Sequence, residues 1–409
     1  MDYEIRACKE NEIEEFIRTC MMAFSEEPNE KDISTRVRVI EPERTLAAFD
    51  EDSMVATTAA FSFRLTIPGA EVPAAGVTLV GVLPTHRRKG ILKAMMKQQL
   101  EDCRALGEPV AILWASEGAI YPNFGFGLAS YHGLIDLDRD KAQFRDETPP
   151  AGRARIVSYD EFLKIAPDVY ERVRAQTPGM FARSRTWWEA HRLFDPEHER
   201  EGGGPMLRAV VEINGTAEAY CLYRVQHSWG EDGIPNGTLT VEEAMGTTPE
   251  ATKAVWHFLF GVDLVARLKY FFIQVDHPLK FMLRALRPLR LKVADALWLR
   301  VLDVKKALEA RTYATAGTLV LDLHDSFCPW NEGVWKLDVS EEGDVAVSQS
   351  TKEADIRLEA EQLGAVYLGG VSFSELAAAS RLTELNDGAL LRANLLFHTD
   401  KQPWCPELF

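Results

Sequence analysis

Val77-Thr-Leu-Val-Gly-Val-Leu-Pro-Thr-His-Arg-Arg-Lys-Gly-Ile-Leu92 is the stretch that decides how this chain folds. An apolar strand runs into Pro84, and a basic loop with one glycine follows. A helix then begins at once, with Ile91, Leu92, Met95, Met96 and Cys103 at helical spacing. The first amides of a helix lack intrahelical acceptors, and its dipole is positive at that end. A diphosphate at this loop would meet Arg88, Lys89 and those free amides together. Gly90 lets the backbone come close where a side chain would collide. The pattern is neither a Walker loop nor a dinucleotide fingerprint, because the glycines those require are missing.

Working outward, 409 residues suggest two to three domains, and 46% hydrophobic content is enough for sizeable cores. The net charge of −16 argues against nucleic acid and anionic membranes as partners. Positive charge for an anionic ligand must therefore be local, at Arg87, Arg88, Lys89 and Lys93. Six scattered cysteines without a Cys-x-x-Cys read as reduced, packed thiols of a cytoplasmic protein. The histidines show no metal spacing: Asp195-Pro196 breaks any helical face shared by His191 and His198, so no metal site is expected. The charged N-terminus is not a secretion signal, and Asp263, Arg267 and Lys269 interrupt the apolar run from Val255 to Val275, so no membrane span is expected.

The spacing Arg87-x-x-Gly90-x-Leu92 resembles the acyl-CoA pyrophosphate loop of the GNAT (Gcn5-related) N-acetyltransferases, usually Arg/Gln-x-x-Gly-x-Gly/Ala. Leu92 departs from its last position. The longer string from Val80 to Leu92 is similar to the Eis (enhanced intracellular survival) branch of that family, where a leucine is tolerated there. Two further segments carry the same resemblance. One is Trp114-Ala-Ser-Glu-Gly-Ala-Ile-Tyr-Pro-Asn-Phe-Gly-Phe-Gly127; the other is the tail from Leu368 to Phe409, which resembles a sterol-carrier-like C-terminal domain. The resemblance implies acetyl-CoA held by Val80, Gly81, Val82, Arg87, Arg88, Lys89, Gly90, Ile91, Leu92 and Lys93, with Ser116 and Glu117 on the facing strand. It also implies aminoglycosides as acceptors and a homo-hexamer.

The fold expected is α/β and α+β: tandem GNAT-type domains, the second degenerate, then a sterol-carrier-like α+β domain. Boundaries fall at 1–145, 146–290 and 291–409. In the first, a helix from Glu12 to Phe24 precedes strands 45–49, 54–65 and 71–82, a helix 88–106 and a strand 110–114. In the second, a hairpin turns on Asn214-Gly215, a strong type I′ signal. A strand 238–245 then leads to a helix opened by Thr248-Pro249, followed by a strand 270–275. Its loop, Gly246-Thr-Thr-Pro-Glu250, has no arginine and places an acid where phosphate would sit, so it is expected to bind no CoA. In the third, strands 297–301, 317–323, 333–339 and 356–358 precede helices 359–368, 372–380 and 387–397, with Ser372 and Glu375 as a capping box.

Acetyl transfer to an amine needs a polarised carbonyl, a deprotonated nitrogen, a protonated leaving thiolate and alignment of the two reactants. Backbone amides of a departing strand edge at 80–82 suit the first task. No Ser-His-Asp order, nucleophile elbow or suitably placed cysteine is present, which favours direct attack in a ternary complex. Tyr121, just past a strand end, is the expected general acid. As the resemblance implies, the base is the terminal carboxylate of Phe409, pinned by Trp404 and Pro406. An acidic, aromatic acceptor pocket is expected, with Phe24, Glu26, Glu27 and Glu407 as candidates for a small polyamine- or aminoglycoside-like amine. Two other readings stay open: a protein lysine acetyltransferase, and a lipid-binding protein with a vestigial transferase.

Overall fold

The computed structural model describes residues 3–200 and 202–409. Its first sheet runs in the order Glu4–Arg6, Thr45–Asp50, Ser53–Ile67, Ala70–Val82, Val110–Trp114, Leu297–Val301, Gly127–Leu128. Ala70–Val82 pairs antiparallel with Ser53–Ile67 along its length. On its other side it pairs with Val110–Trp114 in parallel only over Ala74–Gly76. Past Gly76 the two strands part, so one edge of Val77–Val82 keeps its backbone groups free. The helix Ile13–Ala23 packs across Ser53–Ile67 and Ala70–Val82 through Phe16, Ile17, Cys20 and Met21. Ile91–Ala105 buries Ile91, Met95, Met96, Gln99, Leu100 and Cys103, which is the stripe its spacing predicts.

The second sheet runs Lys292–Asp295, Tyr131–Asp138, Val265–Ile273, Gly237–Gly246, Thr216–Gln226, Leu207–Ile213, Arg153–Ile156. It repeats the parting of strands: Gly237–Val241 pairs in parallel with Val265–Tyr270, and no further. Asn214 and Gly215 both have positive φ, 53° and 82°, as a type I′ turn requires. The Thr248 side chain accepts from Ala251 N ahead of the helix Pro249–Phe260. The following strand starts at Val265, five residues before its expected start, because the helix stops at Phe260.

Leu297–Val301, read from sequence as opening the third unit, instead lies in the first sheet, between Val110–Trp114 and Gly127–Leu128. In exchange, Tyr131–Asp138 crosses into the second sheet. Leu297–Val301 is buried at every position, so its sequence announces a central strand but not which sheet receives it.

The third sheet runs Val345–Gln349, Gly333–Val339, Gly317–His324, Ile356–Glu359, Thr383–Glu384, with helices Ala360–Tyr367, Phe373–Ala378 and Ala389–Phe397. The helix Val304–Ala310 and the half-exposed edge strand Val345–Gln349 lack the strong periodicity that would reveal them. Ala360–Tyr367 lies against the first sheet: a Cβ on Gly364 would come within 2.1 Å of Leu299 O, and one on Gly127 within 1.9 Å of Glu361 O. One apolar core accordingly runs from Phe16 and Ile112 through Leu299 to Leu321, Val366 and Phe397. Among the described residues no helix is long and apolar enough to cross a membrane.

Candidate active site

The site is built around an irregularity in the strand Ala70–Val82. Thr57 pairs with Gly81 and Ala59 with Thr78, so the strand carries an extra residue opposite Thr58. Leu79 sits there at φ 51°, a conformation non-glycine residues rarely adopt, and its carbonyl accepts from Thr57 Oγ1 at 2.8 Å. The two residues at the bulge face opposite ways. Val80 packs with the cluster that contains Tyr121, whereas Leu79 packs on the side that holds Phe409. Backbone amides at the bulge therefore lie between the two groups expected to move protons.

The basic loop follows. Arg88 and Gly90 both have positive φ, 63° and 85°, and a Cβ added at Gly90 would meet nothing within 4 Å. Glycine is required there for its backbone conformation, and the space beside it is open. Arg88 and Lys89 are exposed, and no ion-pair partner is found for either among the described residues. With the amides of Ile91, Leu92 and Lys93 at the helix start, they fit a diphosphate. Arg87 does not join them. Its Nη2 donates to Ala23 O at 2.8 Å and its Nε to Val82 O at 3.1 Å. It ties the end of the first helix to the end of the strand. Gly81 likewise serves packing, since a Cβ there would come within 2.9 Å of Ala23 Cβ. Ser116 and Glu117 are exposed beyond the end of Val110–Trp114.

Tyr121 opens the short 3-10 turn Tyr121–Phe124 and is 5% exposed. Burial, aided by the nearby Cys20 thiol, pushes its phenol up to about 12, so it stays protonated as a donor. Arg300 supports this turn from beneath. A Cβ on Gly125 would meet Arg300 Nη1 at 2.7 Å, and Arg300 Nη2 donates to both oxygens of Asp325, at 2.6 and 2.7 Å. Nothing near Arg300 in sequence signals this role.

The tail is anchored along its length. Trp404 donates from its backbone N to Pro178 O and from Nε1 to Phe272 O, at 2.8 and 2.7 Å. Glu407 Oε1 accepts from Arg183 Nε at 2.5 Å, and Glu407 Oε2 from Trp187 Nε1 at 3.3 Å. Arg183 also donates to Glu243 at 2.6 and 3.0 Å, and Glu243 accepts from Tyr220 OH at 2.6 Å. Burial alone would raise the Glu407 carboxyl, but the guanidinium of Arg183, helped by His191, outweighs it and holds the group down near 2. The Phe409 ring then stands edge-on to Phe63 and Phe181, with centroids 5.0 and 5.5 Å apart.

A pocket of ≈ 450 Å³ lies between the bulge and the tail, lined among others by Arg36, Phe61, Thr78, Leu79, His191, Arg192, Phe194, Glu199, Phe272, Glu407 and Phe409. Its walls are largely aromatic and aliphatic rather than acidic. Glu407 lines it while already committed to Arg183, and two guanidinium groups balance Glu199. Phe24, Glu26 and Glu27 are exposed and do not line it, because the first helix ends at Ala23 and Ser25, at φ 63°, turns the chain away. His191, Arg192 and Arg36 are pocket residues that the sequence did not flag; they come from a five-residue π-helical segment and a short helix that no motif marks. Asp32, His198 and Glu199 also gather, with ligand atoms within 4.8 Å of one another. His191 and His198 point to different partners, Glu407 and Asp32. All six cysteines are free and buried.

Two different families, each described as an acetyltransferase (GNAT) domain, match residues 4–129 and 179–301, and the sterol carrier protein domain family matches 304–406. An uncharacterized N-acetyltransferase of Streptomyces avermitilis is 40% identical over 373 residues, 90% of each chain. The N-acetyltransferase Eis of Mycobacterium tuberculosis is 34% identical over 349 residues, 82% of this chain and 81% of that one. The crystal structure of Eis1 from Mycobacterium abscessus superposes with a TM-score of 0.86 at 30% identity, covering 99% of this chain and 100% of that one. A GCN5-related N-acetyltransferase from Anabaena variabilis, at 19% identity and a TM-score of 0.85, shares the fold. Two acetyltransferase folds that share strands, a bulged cleft beside a basic glycine loop and a sterol-carrier domain place this chain in the Eis family of GNAT N-acetyltransferases.

Proposed function

We propose that this N-acetyltransferase moves the acetyl group of acetyl-CoA to a primary amine of a small molecule, by direct attack with both reactants bound. One observation carries the reading: the bulge residue Leu79 and the last residue, Phe409, line the same pocket, while Tyr121 packs on the other side of that bulge beside Val80. Acetyl-CoA would supply the acetyl group as a thioester. Arg88, Lys89, Gly90 and the amides of Ile91 to Lys93 would hold its diphosphate, and the free edge of Val80–Val82 its arm. The backbone at Leu79 and Val80 polarises the carbonyl. Tyr121 OH gives its proton to the leaving sulfur, and the carboxylate of Phe409 draws on the acceptor's ammonium.

Aminoglycoside- and polyamine-like amines are the first acceptors to test, and a homo-hexamer in the cytoplasm is part of the same proposal. The test is CoA release from acetyl-CoA with an aminoglycoside panel, polyamines and a lysine peptide, using protein without a C-terminal tag. Turnover with the small amines and not the peptide supports the proposal. Faster turnover of the peptide would replace it with protein acetylation. Light scattering reads the assembly separately.

A further inference from the structure

An acceptor that arrives as an ammonium loses two protons on the way to an amide, and only one of them is regained by sulfur. The other must leave through the protein to water. Phe409 supplies one proton acceptor, and the pocket holds a second candidate. His191 is its lining imidazole. It belongs to the segment Trp188–Arg192, its ring lies flat on Trp187 at 4.3 Å and 20°, and its side chain is 33% exposed. Its Nδ1 is buried and finds no hydrogen-bond partner among the described residues, and Glu407 Oε2 lies 3.5 Å away. Arg183 holds that carboxylate through Oε1, and Trp187 donates to Oε2 itself.

Glu407 Oε2 is the carboxylate oxygen that Nδ1 faces, and a proton carried on Nδ1 leaves Nε2 with a free lone pair. We propose that His191, oriented by Glu407, accepts the proton that the acceptor nitrogen gives up and passes it to solvent. The inference rests on the amine-acetylation reading above. As the C–N bond forms and the C–S bond breaks, Tyr121 protonates sulfur. One nitrogen proton goes to the Phe409 carboxylate and on to water, from which Tyr121 regains the proton it gave to sulfur. The other goes to His191 Nε2 and out to water, so the sum is one acetamide, one thiol and one released proton. An imidazole suits this better than a second carboxylate, because it is the stronger base of the two. The charged groups around it are Glu407 on the tail, Arg192 on its own segment, Glu243 and Arg183 behind them, and Arg36 and Glu199 across the pocket.

The test compares the untagged full chain with His191→Gln and His191→Ala, using whichever amine the native enzyme acetylates. The expected result is a fall in kcat of about a hundredfold or more at pH 7, the low end for losing a positioned base, with acetyl-CoA affinity by calorimetry within twofold. The limb in which rate falls as pH drops should disappear in His191→Gln, and free imidazole should restore part of the rate of His191→Ala. Each change would be hard to obtain from a packing role, and thermal melts of the variants exclude misfolding. Unchanged kcat and pH profile in His191→Gln would overturn the proposal, as would a loss confined to acceptor KM with no imidazole rescue. Both leave amine acetylation standing, whereas a native enzyme that acetylates no amine removes both.

Discussion

Arg183 and Glu407 meet through Nε and Oε1 at 2.5 Å with both side chains shut off from solvent, 224 residues apart in sequence. The pair fixes the chain two residues before Phe409. It also couples the second acetyltransferase-like unit to the active site of the first, because Arg183 is simultaneously held by Glu243 of the second sheet.

That pair predicts how stability depends on pH. The folded-state carboxyl of Glu407 lies below its ordinary value of 4.5, at about 2. A group lowered in this way contributes fully above its unfolded value and loses the contribution as pH falls through the folded one. The thermal midpoint should therefore drop between pH 4.5 and about 2, and Glu407→Gln should flatten that segment. At pH 7 the same variant should be destabilised by about 1.5–3 kcal/mol, the range for losing a hydrogen bond to a charged group, because Arg183 keeps Glu243 as its ion-pair partner. Calorimetric scans at several pH values check both.

Tyr121→Phe removes only the phenolic oxygen from a buried ring. We expect kcat to fall by roughly 10²–10⁴, the range for losing general acid catalysis, with acetyl-CoA affinity within a few-fold. Because burial holds the phenol at about 12, the native rate should show no tyrosine limb up to pH 10. Initial rates of CoA release at pH 7 to 10 test both statements.

Removing Phe409, or adding residues after it, moves the carboxylate out of the pocket. Turnover should fall by about 10²-fold or more in either case, while the melt of the extended protein stays near native because the ring contacts with Phe63 and Phe181 remain. An extended enzyme that turns over normally would remove Phe409 from the mechanism.

Gly90→Val adds a side chain to open space at φ 85°. Strain of about 1–2 kcal/mol is expected, with a larger loss in acetyl-CoA affinity, because the added atoms fill the diphosphate's place. Arg88→Gln and Arg87→Gln should differ. The first weakens acetyl-CoA binding in a salt-dependent way. The second should show little salt dependence, since its guanidinium serves the backbone of Ala23 and Val82. Titrations at low and high salt distinguish them.

Local signals alone were enough to place most elements. The apolar runs in 53–67 and 70–82, the helical stripe of Ile91 to Cys103, the Asn214-Gly215 turn and the Thr248 cap each act over a few residues, so each is legible in a short window. The basic glycine loop was legible for the same reason: its chemistry is carried by consecutive residues. The acidic acceptor pocket expected around Phe24 and Glu26 was not found, because nearness to the end of a helix does not say which way the next residues turn.

Hydrophobic period, caps and turn residues act locally, so the chain alone carries its set of elements and its basic glycine loop. Only the tertiary structure decided the rest: that Leu297–Val301 enters the first sheet, that Arg87 supports a backbone while Arg88 stays free, and that His191, Glu407, Leu79 and Phe409 share one pocket. These relationships join residues tens to hundreds of positions apart, and they are set by which buried faces and buried charges find each other once the chain is packed.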